Sequence, residues 1–179
     1  MKTALLLLAD GFEEIEAVTI IDVLRRGDVA VTTASLVGKH VRGSHDISIE
    51  SDALLDRVAV ENFDALVLPG GPAAKTLREE PRVQATIKAA AAAGKLVAAV
   101  CAAPTALEAA GVLQGKRATS YPGNPLPSAQ FVEERVVEDG NIVTSRGPGT
   151  TMAFALKLVE RLSGAEMAKK TAEKLLFAS

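Results

Sequence analysis

Short apolar segments alternate with helix-forming segments along the whole chain of 179 residues. The apolar segments are rich in Leu, Val and Ala, which is typical of strands that are buried on both faces of a sheet. Such strands occur in parallel sheets that helices cover on both sides. Because roughly 100–200 residues form one domain, the sequence predicts a single α/β domain over residues 1–179 with a mostly parallel sheet.

The predicted strands and helices follow one another in regular order. The predicted strands are 3–9, 29–34, 65–68, 96–100, 117–120, 135–138 and 142–145, with a small antiparallel excursion over 41–49. The predicted helices are 13–26, 73–77, 83–93, 104–110, 150–162 and 165–176. The turn residues Asp139-Gly140-Asn141 indicate a hairpin between the last two strands. Ligands of parallel sheets bind at the carboxyl ends of the strands, so we expect the functional site at that edge.

Charge and composition argue against several classes of partner. Twenty Lys and Arg residues against twenty-two Asp and Glu give a net charge of -2, which provides no basic surface for nucleic acid. The apolar segment 4–9 is far shorter than the roughly 20 residues that span a membrane, and too short for a signal-peptide core. We therefore expect a cytoplasmic protein with neither nucleic acid nor membrane as partner.

The one cysteine of the chain, Cys101, follows a predicted buried strand and precedes a predicted helix. A single cysteine forms neither an intrachain disulfide nor a cysteine-based zinc cluster. The sharp turn from strand to helix is the geometry of a nucleophile elbow, and the small Ala102 permits it. The amino terminus of the following helix favours a thiolate. The alternative is a buried structural cysteine, a common fate of this residue.

The paired glycines Gly70 and Gly71 follow the buried strand 65–68. Backbone N–H groups of such a pair can approach a ligand and stabilise an oxyanion, although an ordinary tight turn is the alternative. The pair is not part of a phosphate-binding loop, because no Gly-Lys-Ser/Thr follows it. Nucleotide cofactors are therefore not expected.

Three glutamates begin the first predicted helix, and they differ in their expected roles. Glu13 and Glu14 are expected in solvent, since acidic side chains are favoured in a first turn. Glu16 lies at the edge of the apolar face, where partial burial would raise its pKa and make it a proton donor or acceptor. His40 and His45 are expected in loops or at an edge, and two histidines alone predict no metal site.

Four ordered motifs resemble the ThiJ/PfpI superfamily, in the branch of the Parkinson-disease-associated DJ-1 protein and its bacterial relatives. The motifs are Glu13-Glu14-Ile15-Glu16, Leu68-Pro69-Gly70-Gly71, Ala98-Ala99-Val100-Cys101-Ala102-Ala103-Pro104-Thr105 and Thr144-Ser145-Arg146-Gly147-Pro148-Gly149-Thr150. The resemblance covers nearly the whole chain, and four motifs in order are far more specific than one.

The resemblance implies a flavodoxin-like three-layer sandwich that forms a homodimer. It implies an oxidation-prone Cys101 that is hydrogen-bonded by a protonated Glu16, and it implies an oxyanion pocket formed by the N–H groups of Gly70 and Gly71. The same match places Ala102, Tyr121, Pro148 and His45 among the residues of the oxyanion or substrate site. The implied activity is that of a cofactor-free glyoxalase or protein deglycase acting on methylglyoxal, glyoxal or their adducts. A redox-sensing chaperone and a cysteine peptidase or amidase are the alternatives.

Two positions depart from the pattern of the superfamily. Tyr121 stands before Pro122 where many relatives have a histidine, so a mechanism that needs an imidazole at this position is not expected. His45 stands where relatives place an arginine that reaches the pocket from the partner subunit. Anion binding by this segment is therefore expected to be weaker or to depend on pH.

Overall fold

Seven strands form the central sheet of the computed structural model, which describes residues 1–177. The strands are β1 (Lys2–Leu8), β2 (Val29–Ser35), β5 (Ala53–Leu54), β6 (Ala65–Leu68), β7 (Leu96–Val100), β10 (Val136–Asp139) and β11 (Ile142–Ser145). Their spatial order is β10-β11-β7-β6-β1-β2-β5, and only β10 runs antiparallel to its neighbour. The prediction of a mostly parallel sheet is confirmed.

The innermost strands have no solvent-facing side. Every residue of β6 and β7 is buried, as are the last five residues of β1. Leu5 of β1 pairs with Thr32 of β2 on one side and with Leu66 of β6 on the other. Branched and aliphatic side chains on both faces explain why these segments are continuous apolar runs without alternation.

Six α-helices pack around the sheet in the part of the chain that the structure describes. They are α1 (Glu14–Arg26), α2 (Ala73–Glu79), α3 (Pro81–Ala92), α4 (Pro104–Ala109), α5 (Thr151–Ser163) and α6 (Ala165–Lys174). Helix α5 packs against both α1 and α6, and α2, α3 and α4 form a second group. The two groups are the outer layers of a three-layer sandwich. Within residues 1–177, none of these helices combines the length and the apolar character that crossing a membrane would require.

Two small sheets lie outside the central one. The excursion expected over 41–49 is the antiparallel pair β3 (His40–Arg42) and β4 (Ser48–Glu50). The strand expected over 117–120 is shorter, because only β8 (Arg117–Ala118) is extended and it pairs with β9 (Gln130–Phe131). Sequence patterns missed β5 and β9, because two residues carry no periodicity.

The carboxyl ends of β1, β6 and β7 meet at one edge of the sheet. The chain continues from β1 into α1 and from β6 into Gly70, whose carbonyl accepts a hydrogen bond from the N–H of Glu13 at 3.1 Å. It continues from β7 into Cys101. The three predicted functional segments therefore converge at this edge.

Candidate active site

Cys101 occupies a strained turn directly after β7. Its φ of 64° lies in the left-handed region, where residues other than glycine are uncommon. Two backbone hydrogen bonds hold it there: its N–H donates to Ser145 O at 3.0 Å, and its carbonyl accepts from Tyr121 N at 2.7 Å. The side chain is buried, with 9% of its surface exposed. The sharp turn expected from the sequence is present, and strain of this kind clusters at active sites.

Glu16 of α1 is fully buried beside Cys101. Its Oε2 accepts a hydrogen bond from the Gly70 N–H at 2.7 Å. Its Oε1 has no hydrogen bond of standard geometry within residues 1–177, although the Cys101 thiol lies close enough to lower the carboxyl pKa. Burial nevertheless dominates, and together with the charge of Glu13 it raises the pKa of Glu16 to about 7. A carboxyl group with this pKa both accepts and donates protons near neutral pH.

The thiol of Cys101 is less acidic than the sequence suggests. Burial, followed by the negative charge of Glu16, raises the pKa of the thiol to about 12. Hydrogen bonds from the N–H groups of Gly71 and Ala102 lower the pKa but do not offset this rise. The expectation that the following helix favours a thiolate at Cys101 is not met, because the pKa of the thiol is raised and not lowered. Helix α4 begins three residues later, at Pro104, and desolvation outweighs any effect of its short dipole.

The two glycines have separate roles. The Gly70 N–H is occupied by Glu16, whereas the N–H groups of Gly71 and Ala102 point to the Cys101 sulfur. The Gly70 N–H therefore does not face the sulfur, whereas the N–H groups of Gly71 and Ala102, both expected at the site from the sequence, do. Their role in an oxyanion pocket stays a prediction. A Cβ at Gly70 would lie 2.6 Å from the Cys101 Cβ, so only glycine fits between the thiol and the carboxyl group.

Glu13 and Glu14 are buried, contrary to the expectation that both lie in solvent. Glu13 caps α1, because its Oε2 accepts from the Glu16 N–H at 2.7 Å. Glu14 lies beneath the loop between β3 and β4, where it accepts hydrogen bonds from Ser44 and His45. Burial raises the pKa of Glu14, but these bonds outweigh it and lower the pKa to about 2.

The His45 ring is largely exposed, and its Nδ1 lies 3.1 Å from Glu14 Oε2. Ligand atoms of Glu13, Glu14 and His45 lie within 4.8 Å of one another, a spacing that could hold a metal ion. Both carboxylates already accept protein hydrogen bonds, which account for this cluster without an ion. The pH-dependent anion binding expected of His45 stays a prediction.

Tyr121 is joined to Cys101 through its backbone N–H, and Pro148 follows the neighbouring strand β11. The Tyr121 ring is half exposed and packs on the backbone of Gly147, where an added Cβ would meet its Cδ2 at 3.2 Å. Pro148 begins a short 3-10 turn after β11. Both residues lie at the same sheet edge as Cys101, and their contact with substrate stays a prediction.

Comparisons with known proteins agree with this geometry. Residues 2–161 match the DJ-1/PfpI family. The chain is 43% identical to the protein dj-1beta of Drosophila melanogaster over 183 residues, which cover 99% of this chain and 98% of that protein. It is 34% identical to the glutathione-independent glyoxalase DJR-1.2 of Caenorhabditis elegans over 181 residues, with 99% and 97% of the two chains covered.

The fold is also that of a solved relative. The crystal structure of Drosophila melanogaster DJ-1beta superimposes with a TM-score of 0.95 at 43% identity, and 99% of each chain is covered. The flavodoxin-like fold implied by the resemblance is thereby confirmed. By motif order, fold and identity over nearly its whole length, this chain belongs to the DJ-1/PfpI family.

Proposed function

We propose that this protein is a cofactor-free glyoxalase that uses Cys101 to convert methylglyoxal and glyoxal to hydroxy acids, with protein adducts of these aldehydes as further substrates. The observation that carries the proposal is the buried pair of Cys101 and Glu16, in which a carboxyl group with a pKa of about 7 lies against the only cysteine. The relative DJR-1.2 bears the name of a glutathione-independent glyoxalase, which supports the same chemistry. The chaperone and peptidase alternatives stay predictions.

Addition of the thiol to the aldehyde carbon is the first step. Glu16 takes the thiol proton as sulfur attacks, so the high pKa of Cys101 does not require a free thiolate at rest. The aldehyde oxygen develops negative charge next to the N–H groups of Gly71 and Ala102 and then receives the proton. The product of this step is a hemithioacetal on Cys101.

Proton transfer between neighbouring carbons is the second step. The Glu16 carboxylate removes the C–H proton from the former aldehyde carbon, and the hydroxyl proton of that carbon passes to the oxygen of the adjacent carbon. Glu16 then returns its proton to the adjacent carbon, which produces a hydroxyacyl thioester. One carbon is oxidised while its neighbour is reduced, so no external redox agent takes part. Water then cleaves the thioester, and the balance is methylglyoxal plus water to lactate plus a proton.

Purified protein should convert methylglyoxal to lactate without glutathione, as measured by proton NMR of the product. Below pH about 7 both Cys101 and Glu16 are protonated, and loss of one proton creates the reactive pair. We therefore expect kcat/KM to rise about tenfold per pH unit up to about 7 and to level off above it. Absence of lactate at every pH, with intact protein, would contradict the proposal.

The homodimer is part of the proposal and is supported by an exposed apolar surface. Ile15 and Val18 lie one turn apart on α1 and are 58% and 48% exposed. Val18 lines a small cavity together with Ile49 of β4, and Ile47 before this strand is 57% exposed. Large apolar side chains that are exposed on α1 and around β4 are typical of subunit interfaces.

Val18→Glu should convert the dimer to a monomer. A new carboxylate that is buried between two subunits loses its hydration, which weakens association by about a hundredfold. Sedimentation equilibrium should give twice the chain mass of 18.6 kDa for the wild type and the single mass for the variant. Leu176→Glu, at an exposed position beyond α6, serves as the matched control and should stay dimeric. A monomeric wild type would disprove the homodimer.

A further inference from the structure

Three hydrogen bonds form a closed ring at the start of α1. The Glu13 N–H donates to Gly70 O at 3.1 Å, and the Gly70 N–H donates to Glu16 Oε2 at 2.7 Å. The Glu16 N–H in turn donates to Glu13 Oε2 at 2.7 Å. Glu16 and Gly70 already belong to the proposed site, whereas Glu13 has no part in the reaction described above.

Close packing leaves the ring little freedom. The Glu16 side chain is fully buried, and only 8% of the Glu13 surface is exposed. A Cβ at Gly71 would lie 2.7 Å from the Glu13 nitrogen, so the backbone after β6 lies directly against the start of α1. Hydrogen bonds that water hardly reaches are strong and rigid. The ring therefore determines where the Glu16 carboxyl group lies relative to Cys101.

Glutamate is an unusual residue for this capping position. Serine, threonine, asparagine and aspartate are the side chains that commonly accept the N–H groups of a first helical turn. Within residues 1–177, no lysine or arginine forms a salt bridge with Glu13. The ionisable groups near Glu13 are Glu14 and Glu16 of α1 and His45 from the loop between β3 and β4.

The charge of Glu13 acts on Glu16, which Cys101 faces from the end of β7. Burial is the main cause of the raised pKa of Glu16, and the negative charge of Glu13 raises this pKa further. A neutral capping side chain would hold the helix in the same way without this effect. The glutamate therefore combines a geometric role with an electrostatic one.

We propose that Glu13 is a positioning residue, which holds the Glu16 carboxyl group against Gly70 and makes it a stronger base for the proton that it transfers. The inference rests on the proposed function. Glu13 acts through Glu16 and takes no proton itself in either step. Both effects favour the reaction, because a stronger base removes the C–H proton faster and a base displaced by about 1 Å can lose about a hundredfold in rate.

Glu13→Gln tests the electrostatic role. The amide oxygen can still accept the Glu16 N–H, but the negative charge is lost, so Glu16 ionises more readily and becomes a weaker base. We expect the midpoint of the rise of kcat/KM with pH to move about 0.5 pH unit lower, and kcat at about pH 8 to fall by about threefold. Glu13→Asp keeps the charge on a residue that is common in caps and should keep the wild-type midpoint.

Glu13→Ala tests the geometric role, because it removes the cap as well as the charge. We expect kcat to fall by about ten- to a hundredfold while KM changes less than about twofold, with thermal unfolding as the check on the fold. A merely structural role would move neither the midpoint of the pH profile nor kcat of the folded enzyme. Glu166→Gln is the matched control, since it removes an exposed carboxylate from the first turn of α6 and should leave both quantities unchanged.

The possible failures are distinguishable. If methylglyoxal is turned over but Glu13→Gln keeps the wild-type midpoint, or Glu13→Ala keeps the wild-type kcat, the role of Glu13 is wrong and the glyoxalase proposal stands. If the wild type forms no lactate, the glyoxalase proposal fails, and NMR of the Glu16 carboxyl carbon, identified by its absence from Glu16→Gln, follows the titration directly. A lower midpoint in Glu13→Gln then supports the action of Glu13 on Glu16, and an equal midpoint overturns it.

Discussion

Cys101→Ser should lower kcat/KM for methylglyoxal by at least about a thousandfold, because the nucleophile of the proposed reaction is lost. A hydroxyl group is far less acidic than the thiol, whose pKa is already about 12, and Glu16 with a pKa of about 7 is too weak a base to activate it. The hydroxyl can still accept hydrogen bonds from Gly71 and Ala102. Lactate formation measured at about pH 8 gives the loss directly.

The single cysteine makes this experiment selective. Alkylation of the wild type with iodoacetamide labels Cys101 alone, so the extent of labelling and the loss of activity should coincide. Cys101→Ala should be as inactive as Cys101→Ser, with thermal unfolding as the check on its fold. Activity of Cys101→Ser within tenfold of the wild type would show that another group begins the reaction.

Most of the architecture is predictable because the buried strands are long enough to carry a pattern. Runs such as Leu5–Leu8 are fully buried, and a parallel sheet covered on both faces is the arrangement that buries them. The shortest strands are not predictable in this way. Phe131 pairs with Ala118 in a two-residue strand, and this pairing is decided by the path of the chain after α4 rather than by local sequence.

The positions of the site residues are more predictable than their electrostatics. Cys101, Glu16 and the glycine pair follow from strand ends, which a sheet brings to one edge. Burial of Glu14 depends on Ser44 and His45, which lie thirty residues away in the sequence. The raised pKa of Cys101 likewise depends on the side chain of Glu16, which is distant in the sequence. The sequence around Cys101 therefore does not predict the pKa of its thiol.

The same burial that prepares Glu16 for proton transfer opposes folding once the carboxyl group ionises. In the folded protein the pKa of Glu16 is about 7, whereas its ordinary value is 4.5. Folding therefore favours the protonated form, and the contribution of this group is fully present below pH about 4.5 and is lost as pH rises through about 7. The full difference corresponds to about 3 kcal/mol. The ionised form of Glu16 therefore promotes the reaction and lowers the stability of the fold.

Glu16→Gln should separate these two effects. The amide can still accept the Gly70 N–H but does not titrate, so kcat should fall by about a hundred- to ten-thousandfold and the rise of kcat/KM up to pH about 7 should disappear. The free energy of unfolding should change in the opposite direction. The difference in free energy of unfolding between the variant and the wild type should move in favour of the variant by up to about 3 kcal/mol between about pH 4 and about pH 8. The reason is that only the wild type forms a buried charge at the higher pH.

Urea unfolding of both proteins across this pH range, together with lactate assays, measures the two changes on the same samples. Glu166→Gln is the matched control, since it removes an exposed carboxylate by the same change of side chain on α6 and should alter neither the pH profile nor the pH dependence of stability between about 4 and 8. A Glu16→Gln variant that keeps the wild-type pH profile would show that the proton is transferred elsewhere. A variant that gains no stability relative to the wild type as pH rises would show that Glu16 carries its charge at its ordinary pKa.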